Sequence, residues 1–168
     1  MKILAMLAIV AFGAVASAAL SLFALSRSGD LNDRSSRQGD IALVTERINA
    51  QVLGVVMDAR GIYMSKTAQE AEPFAKGMEA RFPQLRKLST ELNGLVPVSE
   101  RERAGQIEKA IADFITFRSE TVRLGREVST TAANAQGNND LNRNNRKALN
   151  DLLVPFAQPN EQAGNALG

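Results

Sequence analysis

Residues 47–67 read R-I-N-A-Q-V-L-G-V-V-M-D-A-R-G-I-Y-M-S-K-T, and this stretch decides the fold of the chain. Isoleucine or valine recurs every seven residues through it and just before it, at Ile41, Ile48, Val55 and Ile62. This spacing lines one face of a helix, whereas a strand would alternate every second residue. Further apolar residues widen the stripe to the spacing of a bundle helix: Val44, Val52 and Ala59. The stretch is therefore predicted to be a helix that packs inside a bundle.

The opposite face of this predicted helix carries Met57 and Arg60, and Asp58 and Tyr63 flank the apolar stripe. At 100° per residue, Arg60 points away from the helix's own bundle, so the helix has a second face that carries functional groups.

The N-terminal segment contains 24 residues without a charge between Lys2 and Arg27. As a helix it would extend roughly 36 Å, which is enough to cross the hydrocarbon core of a bilayer. We therefore predict a transmembrane anchor over residues 1–27. A cleaved signal peptide is the alternative, because residues 16–18 read A-S-A, the small-residue pattern of a cleavage site. The polar residues 28–38 are either a flexible linker or a continuation of the membrane helix.

Amphipathic segments in the rest of the chain predict three more helices. The first soluble helix is expected over residues 40–70, a second over 73–93 and a third from Ser99, which precedes a glutamate by three residues as a helix cap does. Residues 129–140 are polar and end the third helix, and a fourth begins near Leu141. The predicted fold is all-α, an up-down-up-down antiparallel four-helix bundle over residues 28–153, with a frayed tail over 154–168.

Composition excludes several kinds of function. The chain has no cysteine and no histidine, so it cannot form a disulfide, a thiolate nucleophile or the usual zinc sites. We find no phosphate-binding loop and no nucleophile–base pair, and therefore predict no enzyme, no catalytic residue, no metal and no cofactor. Formal net charge is +2, with both signs interspersed, which is not the pattern of a nucleic-acid-binding surface.

Four segments together resemble the periplasmic sensor domain of bacterial methyl-accepting chemotaxis proteins. They are M-D-A-R-G-I-Y-M-S over residues 57–65, E-A-E-P-F-A-K-G over 70–77, F-R-S-E-T-V-R-L-G-R-E-V-S over 117–129 and N-D-L-N-R-N-N-R-K-A-L-N over 139–150. The resemblance covers about residues 1–153. It implies a homodimeric chemoreceptor domain in the periplasm, anchored by a single pass in the bacterial inner membrane. The methylated cytoplasmic hairpin of such receptors does not follow, so we expect the anchored sensing half of a receptor.

The resemblance also implies where a ligand would bind. Small anionic ligands of such receptors bind between subunits, near arginines of helix one and the start of helix four, and other receptors bind a periplasmic binding protein. Arg60 matches the first position, so the far face of helix one would be the subunit interface; Arg60 is alternatively a solvated arginine in an ion pair. Tyr63 either contacts the ligand or lies at the edge of the core with its hydroxyl in water. Arg143 and Arg146 match the second position. Arg143 and Arg146 are alternatively part of a polar helix start.

Arg118 on helix three is expected to be buried and needs an acidic partner, either Glu120, Asp58 or a ligand carboxylate.

Two other functions remain open from the sequence. Bundle sensors occur with several kinds of output, so the chain is alternatively the ectodomain of a sensor histidine kinase or cyclase. It is otherwise an anchored or secreted bundle that binds a protein partner.

Overall fold

The structure is a computed structural model that describes the backbone of residues 2–157 and the side chains of residues 33–157. It contains five α-helices: α1 (Lys2–Met64), α2 (Ala68–Leu95), α3 (Arg101–Glu127), α4 (Thr130–Gly137) and α5 (Asp140–Ala157). A short 3-10 helix, Val98–Glu100, precedes α3. No strand occurs within residues 2–157. The predicted all-α class is confirmed.

The chain divides into two compact units, Met1–Gln38 and Gly39–Gly168. The described side chains of the first unit, residues 33–38, are all exposed. Within residues 33–157, whose side chains the structure describes, no helix has the length and apolar character needed to cross a membrane. The predicted anchor, residues 1–27, lies outside the part whose side chains are described, and residues 158–168 of the predicted tail lie outside the described backbone.

The core of the second unit is a single apolar cluster to which the four long helices all contribute. The stripe predicted on α1 is buried throughout, at Ile41, Ile48, Val55 and Ile62. Opposite it lie apolar side chains of the other helices: Met78, Leu85 and Leu92 of α2, Ile107, Ile111 and Phe114 of α3, and Leu149 and Leu153 of α5. Burying one such side chain stabilises the fold by about 1.5–3 kcal/mol. Because the heptad spacing puts several of them on one face of α1, it determines which face packs into the core.

Close contacts show that α1 and α2 run antiparallel. Gly61 of α1 lies against the ring of Phe74, and Gly54 lies against the guanidinium of Arg81, so earlier positions on α1 meet later positions on α2. A Cβ atom at Gly54 would come within 2.5 Å of that guanidinium. Glycine at these positions therefore lets the side chains of one helix lie directly on the backbone of the other.

Helix α3 also runs antiparallel to its neighbours α2 and α5. Near the start of α2, Glu72 pairs with Arg126 near the end of α3 at 2.7 Å, while Asn93 near the end of α2 bonds Glu108 near the start of α3. The guanidinium carbon of Arg103, in the first turn of α3, lies 5.8 Å from the ring centre of Phe156, close to the end of α5. These contacts give a compact helical bundle.

The first interhelical turn is at residues 65–67, earlier than predicted. The prediction that the first helix reaches residue 70 and the second begins at 73 is wrong, because α1 ends at Met64 and α2 begins at Ala68. Thr67 caps α2 by accepting a hydrogen bond from the backbone of Glu70, whose carboxylate accepts one from the Lys66 backbone. These two bonds satisfy backbone N–H groups at the start of α2 and fix it there, and Pro73 is accommodated within its second turn.

Two other predicted features differ from the structure. Ser99 lies in the 3-10 helix, and α3 has Glu100 as its N-cap residue without a side-chain cap, so the predicted serine cap is wrong. The segment 129–140, predicted as polar connection, contains α4. Ser129 caps that helix by accepting from the backbone of Ala132 at 3.0 Å. At the C-terminal end, α5 continues to Ala157 and Phe156 is buried.

Candidate functional site

Arg118, in the middle of α3, is a fully buried arginine at the centre of the candidate site. It is 2% exposed. Its Nη1 donates a hydrogen bond to the hydroxyl of Tyr63 on α1 at 2.9 Å. The rings of Phe114 and Phe117 have their centres 5.5 and 5.8 Å from its guanidinium carbon, within reach of cation–π attraction. Two of the predicted ligand-binding residues, Tyr63 and Arg118, are therefore in direct contact.

The predicted protein partners of Arg118 are engaged elsewhere. Asp58 accepts from Arg81 of α2 at 3.1 Å, and Glu120 pairs with Arg123 at 2.7 Å. The prediction that one of these acids neutralises Arg118 is therefore wrong. Among the side chains of residues 33–157, no carboxylate forms an ion pair with this guanidinium. The third alternative, a ligand carboxylate, stays a prediction.

The electrostatic environment of Arg118 disfavours its charge. Burial lowers the pKa of Arg118, the nearby Tyr63 hydroxyl partly offsets this, and the like charge of Arg146 on α5 lowers the pKa further. A guanidinium nevertheless stays protonated in proteins, so the charge persists in the core. Its Nε–H finds no acceptor among the described atoms. An uncompensated buried charge of this kind costs several kcal/mol.

The junction of α4 and α5 closes the site next to Tyr63. The Tyr63 hydroxyl lies so close to Gly137 that a Cβ atom at that position would overlap it. The Asn142 amide nitrogen, in the first turn of α5, donates to the carbonyl of Gly137. Gln136 joins this junction to α3, because its amide accepts from Thr121 at 2.7 Å and donates to the Phe117 carbonyl at 3.2 Å. Contacts thus run from Arg118 through Tyr63 to the start of α5.

Arg143 and Arg146 line an open groove between α1 and α5. The groove has a volume of about 580 Å³ and is also lined by Glu46, Asn49 and Lys147. Arg143 is exposed and forms an ion pair with Asp140, three residues earlier on its own helix. Arg146 is half-buried and forms no ion pair among the described side chains. The groove thus has basic residues on α5 and one carboxylate on α1.

Arg60 lies apart from these residues. It is exposed on α1, and no described side chain pairs with it. Large apolar side chains lie on the same side of α1 and are also exposed: Leu53, Met57 and Met64. The structure therefore brings together Tyr63 and Arg118, places Arg146 within electrostatic reach of them, and leaves Arg60 on a separate face.

Gly137 and Gln136 belong to the site but were missed in the sequence. Residues 137–140 read Gly-Asn-Asn-Asp, a pattern that predicts a turn. This pattern gives no indication of a contact with Tyr63. No cluster of three acidic side chains suited to a metal ion occurs in the part of the chain that the structure describes. No protein-family model matches this sequence, and no curated protein or solved structure shows significant similarity to it.

Proposed function

We propose that this chain is the ligand-sensing part of a bacterial chemoreceptor that acts in transmembrane signal transduction during chemotaxis. Residues 1–27 would anchor it by one pass in the inner membrane, and an up-down-up-down four-helix bundle would lie in the periplasm. The four segments that resemble chemoreceptor sensor domains support this assignment, because they fall in order on α1, the start of α2, the end of α3 and α5. The alternatives, a kinase or cyclase ectodomain and a partner-binding bundle, share this architecture.

The observation that carries the proposal is the second apolar face of α1. Leu43, Met57 and Met64 are separated by multiples of seven residues, and Leu53 precedes Met57 by four. All four are at least half exposed, with Met64 at 84%. A helix that is apolar on two opposite faces packs on two sides, and the bundle covers only one of them. A second copy of α1 would cover the other by coiled-coil packing and produce the proposed homodimer.

Arg60 gives this interface a feature suited to sensing. It lies three residues after Met57 and four before Met64, within the exposed apolar face. Across a two-fold axis each Arg60 would approach its symmetry mate, and two like charges in an apolar interface repel each other. An anionic ligand between them would favour one arrangement of the two α1 helices over another. Differential binding of this kind supplies the small helix displacement that a transmembrane sensor needs.

The dimer is tested with the full chain in detergent micelles by sedimentation equilibrium. Leu53→Gln places a polar amide in the exposed apolar face of α1. Val98→Gln likewise replaces an exposed apolar side chain by a polar amide, but outside that face. We expect Leu53→Gln to weaken dimerisation about tenfold, equivalent to losing roughly 1.4 kcal/mol of burial, and Val98→Gln to leave it unchanged. Equal dimer affinities in both variants would exclude α1 as the interface.

Ligand sensing is tested by thermal melting of the full chain against a panel of small metabolites that includes organic anions. A ligand that binds the folded bundle at 100 times its Kd stabilises it by about 2.7 kcal/mol. We expect at least one member of the panel to raise the melting temperature in a saturable manner. If the whole panel leaves the melting temperature unchanged, direct sensing of small molecules is refuted.

A further inference from the structure

One edge of the Arg118 guanidinium has no acceptor among the described residues. Nη1 is bonded to Tyr63, whereas Nε has no partner among the described atoms. Nε and Nη2 together form the edge that binds a carboxylate through two parallel hydrogen bonds. This edge belongs to a residue that is 98% buried, since Arg118 is 2% exposed. A buried N–H donor without an acceptor, as Nε is, is a place where a ligand gains more than at a solvated surface.

Two other arginines of α3 are each held by two carboxylates. Arg126 of α3 is held by Glu72 and Glu79 of α2, and Arg123 is held by Glu120 and Glu127. These pairs lie at or near the surface, where water screens the attraction and an ion pair adds little to stability. Arg118 is more deeply buried than Arg123 and Arg126. Its hydrogen-bond acceptor among the described residues is nevertheless the neutral hydroxyl of Tyr63. Packing alone would be served equally well by an apolar side chain of the same volume.

We infer that Arg118 binds a compact carboxylate anion inside the bundle, through its free Nε–Nη2 edge beside Tyr63. The carboxylate would supply the negative charge that no described side chain provides. Arg146 adds a second positive charge within electrostatic reach, which favours an anion further. The flanking rings of Phe114 and Phe117 suit a ligand with a short apolar group attached to the carboxylate.

Entry to this site requires movement of a ring at the surface. Tyr63 and Phe117 are both half-buried, so both reach solvent beside the guanidinium. Tyr63 is also in contact with Gly137 at the junction of α4 and α5. Movement of Tyr63 on binding would alter the contact of α1 with the junction of α4 and α5. This inference deepens the proposed function and rests on it, because the sensed ligand would be the carboxylate bound at Arg118 in place of one held between the two Arg60 side chains.

Tyr63 provides a site-specific probe, because the chain has one tyrosine and no tryptophan. Tyrosine fluorescence of the full chain in micelles is titrated with sodium acetate. Acetamide, the neutral analogue of acetate, is titrated in parallel with sodium chloride added to match the ionic strength. We expect acetate to change the Tyr63 emission in a saturable manner and to raise the melting temperature, and acetamide to do neither.

Three variants locate the response. Arg118→Met removes the charge while keeping the volume and should abolish both effects of acetate. Arg118→Lys keeps the charge without the bidentate edge and should bind acetate at least tenfold more weakly, so it decides the question if Arg118→Met fails to fold. Arg86→Met removes an exposed positive charge on α2 and should respond as the unmodified chain does.

The inference is overturned if acetate and acetamide act alike, or if the Arg118 variants respond as fully as the unmodified chain. The two proposals fail separately. A metabolite that stabilises the bundle without changing Tyr63 emission would leave the sensing role intact and remove Arg118 as its site. Acetate binding at Arg118 in a chain that transmits no signal would retain the site and remove the sensing role.

Discussion

Replacing Gly137 by alanine tests the contact that links Tyr63 to the junction of α4 and α5. The new Cβ atom would overlap the Tyr63 hydroxyl and lie 2.7 Å from its ring carbon Cζ. The ring is half-buried and can move outward, which limits the steric cost but takes the hydroxyl away from Arg118. A lost hydrogen bond to a buried charge costs about 1.5–3 kcal/mol, and alanine regains at most about 1 kcal/mol of helix propensity. We expect Gly137→Ala to destabilise the bundle by about 0.5–2 kcal/mol.

Urea unfolding of the full chain, followed by circular dichroism, measures this change. Gly105→Ala is the matched control, because a Cβ atom at this position of α3 meets no atom within 4 Å. It should stabilise the bundle by about 0.5–1 kcal/mol, so the same substitution has opposite signs at the two sites. In a Tyr63→Leu background the penalty of Gly137→Ala should largely disappear. A stabilising Gly137→Ala, or a penalty that persists without Tyr63, would refute the contact.

Two further substitutions test other parts of the structure. Hydrogen bonds from Arg126 hold the pKa of Glu72 below its ordinary value of 4.5. This pair therefore stabilises the fold above about pH 4.5 and loses its effect as pH falls through the folded-state pKa. The difference in unfolding free energy between the unmodified chain and Glu72→Gln, measured in urea, should be present at pH 7 and vanish towards pH 3. A difference that stays constant with pH would contradict the assigned pair. Arg60→Ala should keep the helical circular-dichroism spectrum of the unmodified chain and raise dimer affinity in sedimentation equilibrium, because it removes the repulsion between the two Arg60 charges. Weaker dimerisation would contradict that repulsion, and an unfolded variant would place Arg60 in the core.

The buried face of α1 was predictable because burial of apolar side chains dominates helix packing and repeats with the helix period. Ile48, Val55 and Ile62 lie where the spacing predicted. The turn at residues 65–67 contains neither glycine nor proline, so the usual breakers gave no signal. Its signal was the pair Thr67 and Glu70, a local cap that competes with continuation of the helix.

The environment of Arg118 was only partly predictable. Its burial followed from its place beside the apolar stripe of α3, but its partner depends on which residues three helices bring together. Glu120 was an unsuitable candidate on helix geometry alone, because residues two apart do not face each other. Asp58 was excluded by the register of α1 against α2, which places Arg81 within 3.1 Å of it. Such a register is a tertiary property that no local pattern encodes.

The short helix α4 was not predicted for a different reason. Its sequence, T-T-A-A-N-A-Q-G, has no apolar stripe, and only Ala133 and Gly137 are buried. A helix of eight residues is not stable alone, so it depends on the Ser129 cap and on the contacts of Gln136 with α3. Those contacts become visible only when α3 and α4 are placed side by side.

Ligand-dependent signalling tests the central claim most directly. The measurement joins this chain, through a second membrane span, to the cytoplasmic half of a chemoreceptor and follows kinase activity in cells exposed to the metabolite panel. We predict that at least one small carboxylate changes kinase activity, and that Arg118→Met abolishes the response while Arg86→Met retains it. Kinase activity that stays constant across the panel, in a chimera that is inserted and dimeric, would contradict the claim that this bundle senses a ligand.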